Sequence, residues 1–305
     1  MGRGRASAQD RETVIVGLVP VIDVLEPPDI LGEAGNDERS LILTLMGGHR
    51  MSQLFAGEVA LVTGGSSGIG RAAALAFARE GARVAISSRR EAESLETVKM
   101  IEAAGGEGFF VKADVSKSAD IQALVDKTIE RYGALNYAFN NAGIEGDAFV
   151  PVVKYSETTW DDVIGINLTG VFLSMKYELP HIIAAKGAIV NMASVAGLVG
   201  GRLGSAYHAS KHGVVGLTRA AAMEYAGAGV RINAVAPAVI ETDMALRAGL
   251  TVSASPVRDR VLSMHPIGRF GAPEEVAEAV IWLCSKGAAF TTGHTLPIDG
   301  GFLVP

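Results

Sequence analysis

Tyr207 and Lys211 stand four residues apart in "SAYHASK" (205–211), a stretch made mostly of small residues. On a helix, residues at i and i+4 stack on one face, so a phenol and an ammonium would share one site. A nearby cation favours phenolate and lowers the phenol's pKa. The tyrosine would then give or take a proton near neutral pH. The pair alone also fits an idle, exposed contact, so the rest of the chain must decide.

A second group of residues has the chemistry of a phosphate cradle. "TGGSSGIG" (63–70) follows a β-branched run and opens a helical one. Gly64, Gly68 and Gly70 permit a tight turn and let the backbone approach a pyrophosphate at a helix N-terminus. The spacing is GxxxGxG rather than GxGxxG, and the same turn without a ligand is a plain helix cap. At the end of the next strand, "ISSRR" (86–90) puts Ser88 where an acidic residue would bond a ribose 2′-hydroxyl. Arg89 and Arg90 follow, and guanidiniums suit a phosphate. This favours NADP(H), with NAD(H) as the alternative; as plain structure, the two arginines would only begin a solvated helix. Asp114 in "KADVS" (112–116) is either an acceptor for an adenine amino group or the N-cap of the next helix. In "NNAG" (140–143), Asn140 would brace the sheet while Ala142 and Gly143 let a cofactor lie close.

These groups need a scaffold that brings strand ends together. From residue 57 onward, short β-branched runs alternate with longer helical patterns. Strands are expected at 58–63, 83–88, 108–114, 135–143, 187–194, 230–237 and near 295–298. Helices are expected over 70–81, 91–104, 117–132, 158–184, 206–227 and 273–285, with a variable segment at 238–272. Such alternation implies an α/β fold of Rossmann type, a doubly wound parallel sheet with helices on both faces. No repeat or linker interrupts 57–305, so one domain is expected from residue 55 onward.

The chain has 305 residues, 49% hydrophobic and 20% charged, which is globular rather than disordered. A net charge of −6 without a Lys/Arg-rich run argues against nucleic acid as a partner. The single cysteine, Cys284, forbids an intrachain disulfide and fits a reducing, cytoplasmic setting. The six histidines show no metal spacing; His208 and His212 have no third ligand beside them. "TVIVGLVPVIDVL" (13–25) is broken by Pro20 and Asp23, too short to span a bilayer and without a cleavage site, so no membrane partner is expected. Met51 opens "MSQLFAGEVALVTGG" like a protein start, so residues 1–54 read as a loosely ordered extension or an over-long start. A chain beginning at Met51 is expected to work as well as the full one.

From about Phe55 to the C-terminus, the chain resembles the short-chain dehydrogenase/reductase family, in its single-domain branch of about 250 residues. "TGGSSGIG", "NNAG", Asn167 in "GINLTG", Ser194 in "NMASVAG", "YHASK", "NAVAP" and "DGG" (299–301) occur in the family's order and spacing. The resemblance implies hydride transfer between NAD(P) and a small carbonyl or alcohol substrate. Tyr207 would be the acid/base, Lys211 its electrostatic partner and ribose holder, and Ser194 the ligand of the substrate oxygen. Asn167 would hold a water linking Lys211 to solvent. The cofactor would also meet Ser66, Ser67, Ile69, Val115, Asn141, Pro237, Val239, Ile240 and Thr242. A homotetramer is implied, with the helices over 158–184 and 206–227 paired across two-fold axes. Two departures stand out: Pro237-Ala238 replaces Pro-Gly, and Ala193 replaces the serine before Ser194. The competing reading is a catalytically idle dinucleotide sensor or scaffold, which would have little reason to keep Asn167, Ser194, Tyr207 and Lys211 together. An enzyme of enoyl groups or nucleotide sugars is a third. Substrate choice is expected to sit in about 240–268 and beside 195–205, whose small, apolar residues suit a neutral, apolar carbonyl compound.

Overall fold

The computed structural model describes residues 53–304; the expectations for residues 1–52 lie outside the described residues. Seven strands form one parallel sheet in the order β3-β2-β1-β4-β5-β6-β7. They are β1 (Val59–Thr63), β2 (Arg83–Ser88), β3 (Glu107–Lys112), β4 (Tyr137–Asn140), β5 (Ala188–Met192), β6 (Arg231–Pro237) and β7 (Thr295–Ile298). The order reverses between β1 and β4, and such a switch point opens a crevice at the carboxyl ends of the strands.

The inner strands β1, β4 and β5 are mostly apolar and buried because both faces are covered. Side-chain alternation divides them between two cores. Ala60 and Val62 of β1 face one layer with Phe55, Phe77, Val84, Ile86, Val276 and Val280. Val59 and Leu61 face the other, with Ile121, Leu124, Met175, Ile182, Val214 and Ile232. The first layer is α1 (Gly68–Arg79), α2 (Glu91–Ala103) and α9 (Pro273–Cys284); the second is α3 (Ser118–Tyr132), α5 (Gly170–Ala185) and α6 (Ser205–Tyr225). Arg231 closes the C-terminal end of α9, donating to the carbonyls of Leu283, Cys284 and Ser285. Those carbonyls have no partner within the helix.

The helix expected over 158–184 is three pieces: α4 (Glu157–Ile164), a π-helical segment Gly165–Thr169, and α5. The π-segment closes a five-residue bond, Gly170 N–H to the Gly165 carbonyl, which re-aims Asn167 without ending the helical path. The segment 238–272 contains two short helices, α7 (Asp243–Arg247) and α8 (Pro256–Leu262), over the carboxyl ends of the strands. No helix among the described residues is long and apolar enough to cross a membrane.

Candidate active site

The glycine turn is built as a cradle. Gly64 sits at φ +70° and Gly68 at φ +51°, backbone states that favour glycine. A Cβ at Gly70 would strike the Gly64 carbonyl and the Asn141 amide, so the turn can close only without one. Asn141 Nδ2 donates to the carbonyls of Thr63 and Gly64, and Thr63 Oγ1 accepts from the backbone N–H groups of Asn141 and Ala142. These bonds lock the end of β4 to the end of β1. The first turn of α1 carries no acidic side chain, so nothing would compete with an anion for its N-terminal N–H groups.

A cleft runs along these strand ends. Gly64, Ser66, Ser67, Gly68, Ile69 and Gly70 line it at the turn. Ser88, Arg89, Asp114 and Val115 line it toward β2 and β3, while Asn141, Ala142, Gly143 and Thr242 line the opposite side. Arg90 also lies here, its Nη2 donating to Ser66 Oγ at 2.8 Å and Ser67 Oγ at 2.6 Å. Of the two arginines named from the sequence, Arg90 is the guanidinium that reaches the glycine turn. Ser88 Oγ is engaged locally, accepting from Arg90 N–H and bonding Ser94 Oγ. Asp114 is not the helix cap: Lys117 holds that position in α3, and Asp114 Oδ1 accepts from the backbone and hydroxyl of Ser116. Partial burial works against its charge, but the Ser116 bonds outweigh it and hold the carboxyl below its ordinary value. The glycine cradle, the bare helix N-terminus and the guanidinium on the loop all fit a dinucleotide diphosphate.

A larger cavity of about 600 Å³ adjoins the cleft. Ile69, Asn141, Gly143, Ile144, Thr242 and Met244 border both spaces, so they communicate. Ser194, Tyr207 and Lys211 meet in its wall, with Pro237, Val239 and Ile240. Most of the rest is apolar: Phe149, Val199, Leu203, Leu250, Val261, Met264 and Phe302. No Asp or Glu lines it.

Ser194 and Lys211 in this wall each have a structural anchor. Ser194 caps a short 3-10 turn, accepting from Ala196 N–H at 3.2 Å and donating to the Pro237 carbonyl at 3.3 Å. Lys211 is buried on α6, its Nζ donating to the Met192 carbonyl at 2.7 Å. Burial pulls its ammonium down to about 7. Burial pushes the Tyr207 phenol up, a nearby Ser194 hydroxyl pulls the other way, and Glu145 adds to the rise. The direction is opposite to the lowering expected from Lys211, with burial as the largest cause.

Asn167 is wholly buried; Oδ1 accepts from Ile144 N–H, and Nδ2 donates to the Ile144 carbonyl and Ser210 Oγ. Its amide clamps the loop after β4 to α6 and does not line the cavity. His208 and His212 turn their Nδ1 atoms onto carbonyls of their own helix, and no metal-ready cluster occurs among the described residues. Sequence reasoning missed Ile144, Ile166, Asp243, Met244 and Arg247 in the cleft. They come from the loop after β4, the π-segment and α7; Ile144 directly follows "NNAG" and Ile166 lies within "GINLTG", whereas Asp243, Met244 and Arg247 belong to a segment with no motif.

A family model described as enoyl-(acyl carrier protein) reductase matches residues 64–303. A cyclohexanol dehydrogenase of Acinetobacter sp. (strain SE19) is 44% identical over 253 residues, 83% of this chain and 97% of that protein. A cis-4-hydroxycyclohexanecarboxylate dehydrogenase of Sinomonas cyclohexanicum is 41% identical, covering 83% of this chain and 99% of that one. The crystal structure of levodione reductase superposes with a TM-score of 0.75 at 39% identity, over 81% of this chain and 98% of that one. The glycine cradle at the switch point, the adjoining cavity and these likenesses agree: the chain belongs to the short-chain dehydrogenase/reductase family and is an NAD(P)-type oxidoreductase of the CH–OH/C=O couple.

Proposed function

We propose that the enzyme interconverts an apolar, ring-borne secondary alcohol and its ketone, with NADP(H) preferred over NAD(H). The observation that carries this is the junction of an apolar cavity of about 600 Å³ with the cofactor cleft at Ser194, Tyr207 and Lys211. Two relatives are named for cyclohexanol and hydroxycyclohexanecarboxylate, and their similarity over most of both chains supports a ring substrate. A bound nicotinamide supplies or takes up the hydride. Tyr207 gives its phenolic proton to the carbonyl oxygen in reduction and removes the hydroxyl proton in oxidation. Ser194 bonds the same oxygen and stabilises its developing charge. Lys211 holds the ribose side of the site, and Asn167 fixes its helix through Ser210. Arg90, with Arg89, supplies the positive charge for a 2′-phosphate.

The test is a spectrophotometric panel of cyclic and acyclic ketones and alcohols, plus an enoyl thioester, with each cofactor. Turnover of cyclohexanone or cyclohexanol is expected. Turnover of the enoyl thioester alone would overturn the assignment.

We also propose a homotetramer. Ala209, Gly216, Ala220 and Met223 form an exposed stripe of small and apolar residues along α6, and Phe172 is exposed on α5. Such faces suit close packing against copies of the same chain. Light scattering at micromolar concentration is expected to give four chains; a monomer would refute it.

A further inference from the structure

Glu178 on α5 lies wholly inside the protein, at 1% exposure. Asn140 Nδ2 donates to Glu178 Oε2 at 3.0 Å and to Asn191 Oδ1 at 3.1 Å. Asn191 Nδ2 in turn donates to Thr218 Oγ1 at 3.0 Å. This run of bonds ties α5 to β4, β5 and α6. Asn140 directly precedes the cofactor-facing Asn141–Gly143, Asn191 stands three residues before Ser194, and Thr218 lies two turns beyond Lys211 on the same helical face.

Two acceptors in this network have no donor: Glu178 Oε1 and Asn140 Oδ1. Both amide hydrogens of Asn140 are already used, and flipping the amide would turn its oxygen onto two other oxygens. An ionised carboxylate accepts only, so it leaves both atoms orphaned, whereas a protonated one carries one O–H donor. A single proton can therefore satisfy both. Leaving buried polar groups unpaired is costly, and an unpaired buried charge more so.

We propose that Glu178 is a neutral carboxylic acid in the folded enzyme, donating its proton from Oε1 to Asn140 Oδ1, and that this pair is a positioning element holding β4, β5 and α6 for the reaction. The link to turnover rests on the reading of those elements as carriers of the site; the protonation does not. Burial pushes this carboxyl up to about 8 while the Asn140 amide pulls the other way. No charged group from α3, α5, α6, β4 or β5 takes part. Lys176 on the same helix is exposed, and the buried Lys211 of α6 donates its hydrogen bond to the Met192 carbonyl instead. Above that range Glu178 ionises, and the network loses its donor just behind the site.

Glu178→Gln tests this, because its amide donates where the acid proton did and accepts where Oε2 did, yet cannot ionise. At neutral pH the infrared difference spectrum of wild type minus Glu178→Gln should contain a protonated carboxyl C=O stretch. The carboxyl's folded value lies above the ordinary 4.5, so the unfolded chain ionises first. Thermal stability of the cofactor-free wild type should therefore fall relative to Glu178→Gln as pH rises from about 4.5 to about 8, and run parallel outside that window. Glu178→Gln should keep kcat within about twofold at neutral pH, while Glu178→Leu, which orphans Asn140, should lose roughly tenfold or more. With ionisation, wild-type kcat should decline at alkaline pH where that of Glu178→Gln does not. Absence of the acid band, or a stability difference indifferent to pH, would overturn the protonation. A Glu178→Leu enzyme with wild-type kcat would overturn the positioning role. If Glu178→Leu does not fold, the spectrum and pH series on Glu178→Gln still decide, and neither needs a substrate.

Discussion

Lys211 Nζ lies 5.6 Å from the centre of the Tyr207 ring and donates to the Met192 carbonyl on β5. The two side chains thus share one face of α6, with the lysine tied to the strand that leads to Ser194. Tyr207→Phe keeps the ring and its packing and removes only the hydroxyl. It should lower kcat by about 10²–10⁴-fold and leave the cofactor dissociation constant nearly unchanged, as read by fluorescence titration. Retention of more than about a tenth of the activity would end the acid–base assignment. Lys211→Ala should damage both turnover and cofactor binding.

The lysine also makes a prediction that needs no substrate. Its folded value of about 7 lies below its ordinary 10.5, so between those pH values the unfolded chain holds a proton that the folded chain lacks. Stability then rises with pH across that window, and the full penalty is present below about 7. Lys211→Met should gain stability over wild type as pH falls from about 10.5 to about 7, with a constant gain below. Melting curves of the cofactor-free enzyme that stay parallel across this range would show that Lys211 is not desolvated as the fold implies.

The fold and the order of the site were legible because they rest on period and spacing. Alternating apolar runs define parallel strands, and "TGGSSGIG" can turn tightly only where Gly64 and Gly70 approach each other. The electrostatics were not legible. Whether Lys211 lowers the phenol depends on how deeply both are buried, which four-residue spacing does not encode. The role of Arg90 was equally hidden, since adjacent arginines look alike until one bonds Ser66 and Ser67. Asn167 was found by its motif, yet its π-helical setting, and so the direction of its amide, follows from packing against Ile144 and Ser210.

Cofactor choice follows from the charge on the glycine turn. Ser67 offers no cation of its own, but Arg90 places one across both loop hydroxyls, and Arg89 lines the same cleft. One charge-assisted contact is worth about 1.5–3 kcal/mol, or roughly ten- to a hundred-fold. The ratio of kcat/KM should favour NADP(H) by that factor. Arg90→Ala should erase most of it, and Ser88→Asp with Arg89→Ile should reverse it by adding an acceptor for the 2′-hydroxyl. Equal or better use of NAD(H) by the wild type would remove the phosphate site.

The ion pair between Glu145 and Arg247 joins the loop after β4 to α7, with Nε–Oε1 at 2.8 Å and Nη2–Oε2 at 3.3 Å. Arg247 lines the cofactor cleft, so the pair pins the segment over the strand ends to the body of the site. Partly exposed pairs contribute only about 0.2–1 kcal/mol, so Glu145→Gln should raise the cofactor KM by no more than about fivefold, and wild type should approach the variant at high salt. Glu145 has a second effect, because its charge pushes the Tyr207 phenol upward. Removing that charge favours phenolate, the form that acts as base, so the ascending limb of the pH profile for alcohol oxidation should move to lower pH in Glu145→Gln. A shift to higher pH, or none alongside an unchanged cofactor KM, would show that Glu145 neither fastens the segment nor acts on the tyrosine.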